Sequence, residues 1–102
     1  MSVEVIRIES RRFNAAAAKP FLARVAQAFA GGAATVILDF SDVASMDSLG
    51  ISALVAAHRV RPQGTRIVLS SLNDYVRDVL EITQMFRVFD VYESADAAVK
   101  AA

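Results

Sequence analysis

The sequence predicts an α/β domain in which helices alternate with the strands of a mainly parallel central sheet. Segments typical of strands alternate along the chain with segments whose apolar residues recur at helical spacing. The length of 102 residues matches one ordinary domain, and no charge block or low-complexity linker divides it. The chain has no cysteine, so disulfides cannot stabilise it. We therefore expect one domain over residues 1–102, held by an apolar core.

The first half of the chain predicts strand, helix, strand and helix. In residues 3–8, four apolar side chains are interrupted by the charged Glu4 and Arg7, as in a short strand with one polar face. Asn14 is a suitable N-cap for a helix that ends before Gly31 and Gly32. Residues 35–40 form a continuous apolar run, which is typical of a strand covered on both faces. A polar connection then leads to a second helix from about Ser48 to Val60.

The second half repeats the alternation. Residues 66–69 predict another buried strand, and Asn73 is among the caps available for a third helix. Residues 88–92 predict the last strand, and Ser94 caps a short closing helix through Lys100. The predicted order is therefore β-α-β-α-β-α-β-α, which requires crossover links and hence a mainly parallel sheet.

Charge and composition exclude several functions. Eleven Lys and Arg residues balance eleven Asp and Glu residues, so binding to nucleic acid through phosphate charge is not expected. No segment approaches the roughly 20 apolar residues of a membrane-spanning helix, and the charged N-terminus does not resemble a signal peptide. We therefore expect a cytoplasmic protein without direct membrane insertion.

Neither a metal nor a cofactor is expected, and the chain does not resemble an enzyme. His58 is the only histidine, and a role in packing or at the surface suits it better than catalysis. Asp39, Asp42 and Asp47 lie close together in sequence, but turn formation explains them better than Mg²⁺ binding. No glycine-rich phosphate loop follows a strand, and no nucleophile–base pair is visible.

The segment after the second predicted strand is the candidate functional site. Asp47 and Ser48 stand where a loop from the carboxyl end of that strand meets a helix. The helix N-terminus would accommodate a phosphate on Ser48, and Gly50 would let another protein approach the hydroxyl closely. Asp47 and Ser48 are equally compatible with a simple N-cap, so spacing alone leaves both interpretations open.

The same segment resembles the signature loop of STAS domains, the fold of bacterial anti-sigma factor antagonists. The matching residues are Asp39-Phe40-Ser41-x-Val43-x-x-Met46-Asp47-Ser48-x-Gly50. Residues 64–69, 75–83 and 89–92 resemble later segments of the family in the same order. The resemblance covers nearly the whole chain and identifies residues 1–102 as a STAS domain.

The resemblance implies a protein switch. In such antagonists a partner that is both anti-sigma factor and serine kinase phosphorylates the serine after the loop aspartate, which is Ser48 here. The unmodified form binds that partner and frees the sigma factor, and a serine phosphatase resets the cycle. Asp47 and Asn14 would support the Ser48 loop, and Leu49, Gly50 and Ile51 would add docking surface. Leu49 and Ile51 cannot easily both be buried, since successive helical residues are 100° apart.

Departures from the family pattern support an alternative. Arg11 and Asn14 stand where the family usually has Gly and Asp, and Leu49 replaces a common second Ser or Thr. STAS domains also serve as subunits of bacterial lipid-transport ABC systems, where they bind an ATPase without an obligatory phosphorylation cycle. A component of a larger STAS signalling assembly is a third possibility. The oligomeric state is not predicted.

Overall fold

The computed structural model describes residues 2–102, which form six strands, four α-helices and one 3₁₀ helix. In chain order they are β1 (Val3–Arg7), β2 (Arg12–Phe13), α1 (Ala15–Ala30), β3 (Thr35–Asp39), β4 (Ser45–Met46), α2 (Ser48–Val60), β5 (Arg66–Ser70), α3 (Asp74–Ile82), the 3₁₀ helix Met85–Arg87, β6 (Val91–Tyr92) and α4 (Ala95–Ala101).

The central sheet has the strand order β1-β3-β5-β6, and every neighbouring pair is parallel. Along the chain, α1, α2 and α3 lie between the successive strands of this sheet, because parallel strands require crossover links. The predicted α/β class, with helices alternating along a parallel sheet, is therefore confirmed.

Side chains of the sheet alternate between two cores, because successive residues of a strand point to opposite faces. The larger core contains Val36 and Leu38 of β3 and the buried side chains of α1, α2 and α3. On the other face, Ile37 and Val68 pack with Ala98 of α4. The continuous apolar run of β3 is thus covered on both faces, as predicted. Within residues 2–102, none of the helices is both long and apolar enough to cross a membrane.

Two short strands lie outside the central sheet. β2 and β4 pair in parallel, with Arg12 opposite Ser45 and Phe13 opposite Met46. The sequence predicts only a connection over residues 41–47, so this ribbon is a correction. Phe13 is fully buried and makes edge-to-face contacts with Phe21 and Phe40, at centroid distances of 5.1 and 5.6 Å. The ribbon is therefore anchored in the larger core.

The prediction for the last strand is wrong in extent. Val88 and Phe89 both donate backbone hydrogen bonds to the Met85 carbonyl, so residues 88–89 form a turn rather than a strand. The Phe89 side chain is buried, and only Val91–Tyr92 pairs with β5. Apolar residues in this segment fill the core from a turn, although their sequence looks like that of a strand.

Candidate functional site

The β2–β4 ribbon places the N-termini of α1 and α2 side by side. Asn14 directly follows β2 and caps α1, while Asp47 directly follows β4 and caps α2. Because Phe13 and Met46 are opposite each other in the ribbon, the two caps are neighbours as well. The Asp47 amide donates to the Phe13 carbonyl at 3.3 Å, which joins the two helix starts directly. Two helix N-termini, each with partial positive charge, therefore open toward one surface.

Asp47 provides the N-cap of α2. Its Oδ1 accepts hydrogen bonds from the backbone amides of Leu49 and Gly50, both at 3.0 Å. Ser48 is the first residue of the helix, and it is exposed. Among the hydrogen bonds of residues 2–102, none engages the Ser48 hydroxyl as a cap. Asp47 is therefore the cap of the helix, whereas Ser48 is not needed for capping and its hydroxyl is accessible.

Asn14 supports α1 rather than Ser48. Its Oδ1 accepts from the amides of Ala16 at 3.1 Å and Ala17 at 3.4 Å. In the part of the chain that the structure describes, no hydrogen bond joins Asn14 to Ser48. Asn14 thus lies beside the candidate site, but its side-chain oxygen is hydrogen-bonded to its own helix.

Gly50 does not contribute exposed docking surface, which corrects the interpretation of this residue. It is buried against the β2 strand, and a Cβ added at Gly50 would overlap the Phe13 carbonyl oxygen. The same Cβ would lie 2.9 Å from Cδ2 of the Phe13 ring, closer than carbon atoms tolerate. Because Gly50 has no side chain, α2 can approach the ribbon closely, so the role of this glycine is in internal packing.

Leu49 and Ile51 separate as the helical geometry requires. Leu49 is 54% exposed, whereas Ile51 is half-buried and packs against the larger core. Leu49 is therefore the apolar side chain that stands free directly beside Ser48.

A small groove of about 240 Å³ lies next to Ser48, and sequence reasoning did not single it out. Asn14 and Asp47 line it together with Arg12, Ser45 and Tyr75. Tyr75 is 56% exposed. An exposed aromatic side chain and a nearby guanidinium are the types of group that anchor protein interfaces. No local pattern singles out Tyr75, because the next residue of the same helical turn, Val76, is fully buried.

Asn73 fixes the start of α3 against the site loop. Its Oδ1 accepts from the Val76 amide at 2.7 Å, and its Nδ2 donates to the carbonyls of Val43 at 3.2 Å and Ala44 at 3.1 Å. One side chain thus caps a helix and holds the loop that enters β4. Through these bonds the position of Tyr75 is coupled to that of Asp47 and Ser48.

The three loop carboxylates serve separate local partners. The Asp39 carboxylate accepts from the Ser41 amide at 2.9 Å, and Asp47 caps α2. Asp42 forms a bidentate ion pair with Arg7, with both N–O distances at 2.9 Å. These hydrogen bonds and the Arg7 charge hold the pKa of Asp42 below its usual value. Among residues 2–102, no group of three or more His, Asp or Glu side chains could hold a metal ion.

Comparison with known proteins identifies the family of this small parallel α/β domain. The sequence model of the STAS domain family matches residues 2–98. This chain belongs to the STAS domain family.

Solved structures show the same fold. An anti-sigma factor antagonist from Mycobacterium paratuberculosis has a TM-score of 0.86 at 19% identity, covering 98% of this chain and 85% of its own. A sulfate transporter family protein from Wolinella succinogenes has a TM-score of 0.83 at 22% identity, covering 97% of this chain and 83% of its own.

The anti-sigma factor antagonist SpoIIAA is similar in two forms. Its unphosphorylated form has a TM-score of 0.76 at 21% identity, covering 99% of this chain and 90% of its own. The phosphorylated form of the Bacillus protein has a TM-score of 0.67 at 21% identity, covering 96% and 89%. The chain is thus a STAS domain whose structural neighbours include anti-sigma factor antagonists.

Proposed function

We propose that this chain is a cytoplasmic, non-catalytic anti-sigma factor antagonist that is switched by phosphorylation at Ser48. Its partner would be an anti-sigma factor with serine kinase activity, and a serine phosphatase would restore the unmodified form. The observation that carries the proposal is the division of roles at the start of α2. Asp47 caps the helix, so Ser48 is exposed and can be modified without loss of the cap.

A phosphate on Ser48 acts on the partner rather than on the fold. It adds about −1.5 to −2 charges and a hydrated group at the surface. The neighbouring N-termini of α1 and α2 stabilise negative charge, so the domain stays folded. The partner, in contrast, meets a bulky anion beside the exposed Leu49 side chain. Phosphorylation therefore blocks docking locally.

The surface around Ser48 suits contact with a protein. Leu49 supplies an apolar side chain on one side, and Tyr75 supplies an aromatic side chain at the adjoining groove. Arg12 adds a positive charge to the groove and Asp47 a negative one. We infer that Leu49 and Tyr75 anchor the partner and that Arg12 helps to orient it.

One observation favours a second candidate function. The Asn14 side chain is neutral and occupied by α1, so it contributes no charge that would activate or orient the Ser48 hydroxyl. A partner that docks regardless of phosphorylation, such as the ATPase of a lipid-transport ABC system, would tolerate this arrangement. The proposal for that case is a constitutive STAS subunit that uses the same surface.

Binding measurements with Ser48 variants separate the two functions. Candidate partners, in purified form, are any serine kinase or transport ATPase that the neighbouring genes encode. Ser48→Asp should weaken binding to the kinase by some hundreds-fold, which corresponds to about 3 to 4 kcal/mol, whereas Ser48→Ala should retain it. Ser52→Asp is the matched control, because Ser52 is an exposed serine one turn further along α2.

The outcome decides between the proposals. Loss of binding with Ser48→Asp, but not with Ser52→Asp, supports the switch. Equal kinase binding by all variants contradicts it for that partner. Tight binding to the ATPase that is insensitive to Ser48→Asp favours the constitutive subunit.

A further inference from the structure

β1 forms one edge of the central sheet, and residues 2–102 place no strand on its outer side. The flanking hydrogen bonds show how its backbone is oriented. The Ser2 carbonyl accepts from the amides of Ala34 and Thr35, and the Ile8 amide donates to the Asp39 carbonyl. Backbone groups alternate in direction along a strand, so the N–H and C=O groups of the even-numbered residues of β1 point toward β3. The N–H and C=O groups of the odd-numbered residues face outward.

Only one of these outward groups is covered by a side chain. The Arg7 carbonyl accepts from Nη1 of Arg24 in α1 at 2.7 Å. Within the described residues, no similar contact covers the backbone groups of Val3 or Val5. The strand has no proline or lysine, its charged residues are Glu4 and Arg7, and the Val5 side chain is 42% exposed. β1 therefore presents outward N–H and C=O groups at the spacing that pairing with a further strand requires.

We propose that β1 pairs in antiparallel fashion with β1 of a second copy of this chain, with Val5 opposite Val5. A two-fold axis perpendicular to the sheet keeps the faces of both sheets in register. Val5 and its copy then exchange two N–H···O bonds, as a hydrogen-bonded antiparallel pair does. The two Val5 side chains meet on one face, and two four-stranded sheets become one continuous sheet.

The side chains favour this register over its neighbours. A shift by one residue is excluded, because it would set the buried Ile6 opposite a residue of the other face. Moving the pairing two residues toward the N-terminus would place Glu4 directly opposite Glu4, which is destabilising. Moving the pairing two residues toward the C-terminus places Val5 opposite Arg7, so the two Val5 side chains no longer meet. The register centred on Val5 instead sets Glu4 opposite Ile6 and Val3 opposite Arg7.

A groove of about 620 Å³ follows the end of β1 and is bordered by Ala16, Ala17 and Pro20 of α1. These side chains are short or compact, and Phe21, which also lines the groove, is buried. Arg24 is the long side chain in this groove, and it is already bonded to Arg7.

Sedimentation equilibrium over about 1 μM to 1 mM tests the proposal. The chain should shift from the monomer mass to twice that mass. Val5→Pro removes an outward N–H without touching the bonds to β3, and proline is tolerated at such edge positions. It should weaken dimerisation at least about tenfold, because the symmetric pair loses two hydrogen bonds.

A second substitution guards against misfolding of the proline variant. Val5→Lys sets two like charges face to face across the axis and should also prevent the dimer. Val60→Lys is its matched control, because Val60 is an exposed valine on α2 and should leave dimerisation unchanged. Amide exchange gives an independent readout: the Val5 amide should gain protection as concentration rises, while the Ile6 amide is protected throughout.

A monomer mass at every concentration would overturn the proposal. A dimer that survives both Val5→Pro and Val5→Lys would also overturn it, because another surface would then be the interface. Neither result would bear on Ser48, since the binding test of the proposed function uses a different surface.

Discussion

The Asp47 carboxylate holds the first turn of α2 through one oxygen that accepts two backbone N–H groups. Asp47→Ala leaves these amides without the cap and should lower the free energy of unfolding by about 1 kcal/mol. Asp47→Asn keeps an acceptor oxygen and should be nearly neutral. Urea denaturation of the three proteins checks this, and equal losses in both variants would show that the charge of Asp47, rather than its acceptor oxygen, stabilises the helix.

Gly50 is the residue whose packing most constrains the site. Gly50→Ala should lower the free energy of unfolding by about 1–3 kcal/mol, because the new methyl group overlaps the Phe13 carbonyl and forces β2 and α2 apart. The steric cost outweighs the gain of about 1 kcal/mol that replacing glycine by alanine normally gives inside a helix.

Gly31→Ala is the control for this substitution. At Gly31 the φ angle is −78°, and the nearest atom to an added Cβ would be 3.4 Å away. The melting temperature of Gly31→Ala should therefore stay close to that of the parent protein. A Gly50→Ala protein that melts as high as Gly31→Ala would contradict the packing account.

At the scale of elements, Asn73 joins α3 to the loop before β4. Asn73→Ala removes the cap on Val76 and both donated hydrogen bonds, and should destabilise the protein by about 1–3 kcal/mol. Asn73→Asp retains the capping acceptor but cannot donate, so its loss should be smaller and should reflect the loop alone. Denaturation curves separate the two contributions; identical losses would mean that only the donated bonds stabilise the fold.

Elements with a strong local pattern are predicted well from this sequence. The apolar run of β3 and the capped, periodic helices α1 and α2 have their boundaries within a residue or two of the prediction. β2 and β4 are missed, because a two-residue strand has no periodicity and forms only when its partner, distant in sequence, is in place. β6 is shorter than predicted, because Phe89 enters the core from a turn.

The candidate site is predictable only in part for the same reason. The start of α2 at Ser48 follows from local capping chemistry, and the structure agrees. The inward packing of Gly50 depends on Phe13, which lies 37 positions earlier and is brought there by the ribbon. The proximity of Tyr75 to Asp47 likewise arises from long-range packing of α3.

At the scale of the whole molecule, His58 links folding to pH. Its ring packs edge-to-face on Phe89 with centroids 5.5 Å apart, and Nη1 of Arg61 lies 3.2 Å from the ring nitrogens. Burial, and then the Arg61 charge, lower the pKa of His58. The unfolded chain, with a histidine pKa of about 6.5, therefore binds the proton more readily.

The sign of the pH effect follows from this difference. The stabilising contribution of neutral His58 is fully present above about pH 6.5 and is lost as pH falls through the lower pKa of the folded state. The free energy of unfolding should thus decrease on acidification below about pH 6.5, and His58→Gln should flatten that part of the curve. Parallel pH curves for the two proteins would contradict the assignment to His58.

We propose above all that Ser48 is the regulated phosphorylation site of this STAS domain. Phosphosite mapping by mass spectrometry, on the chain purified from its own cells under several growth conditions, tests it most directly. We expect phosphate on Ser48 in a fraction that changes with the growth condition. Phosphate found reproducibly on another residue, or none under any condition, would contradict it.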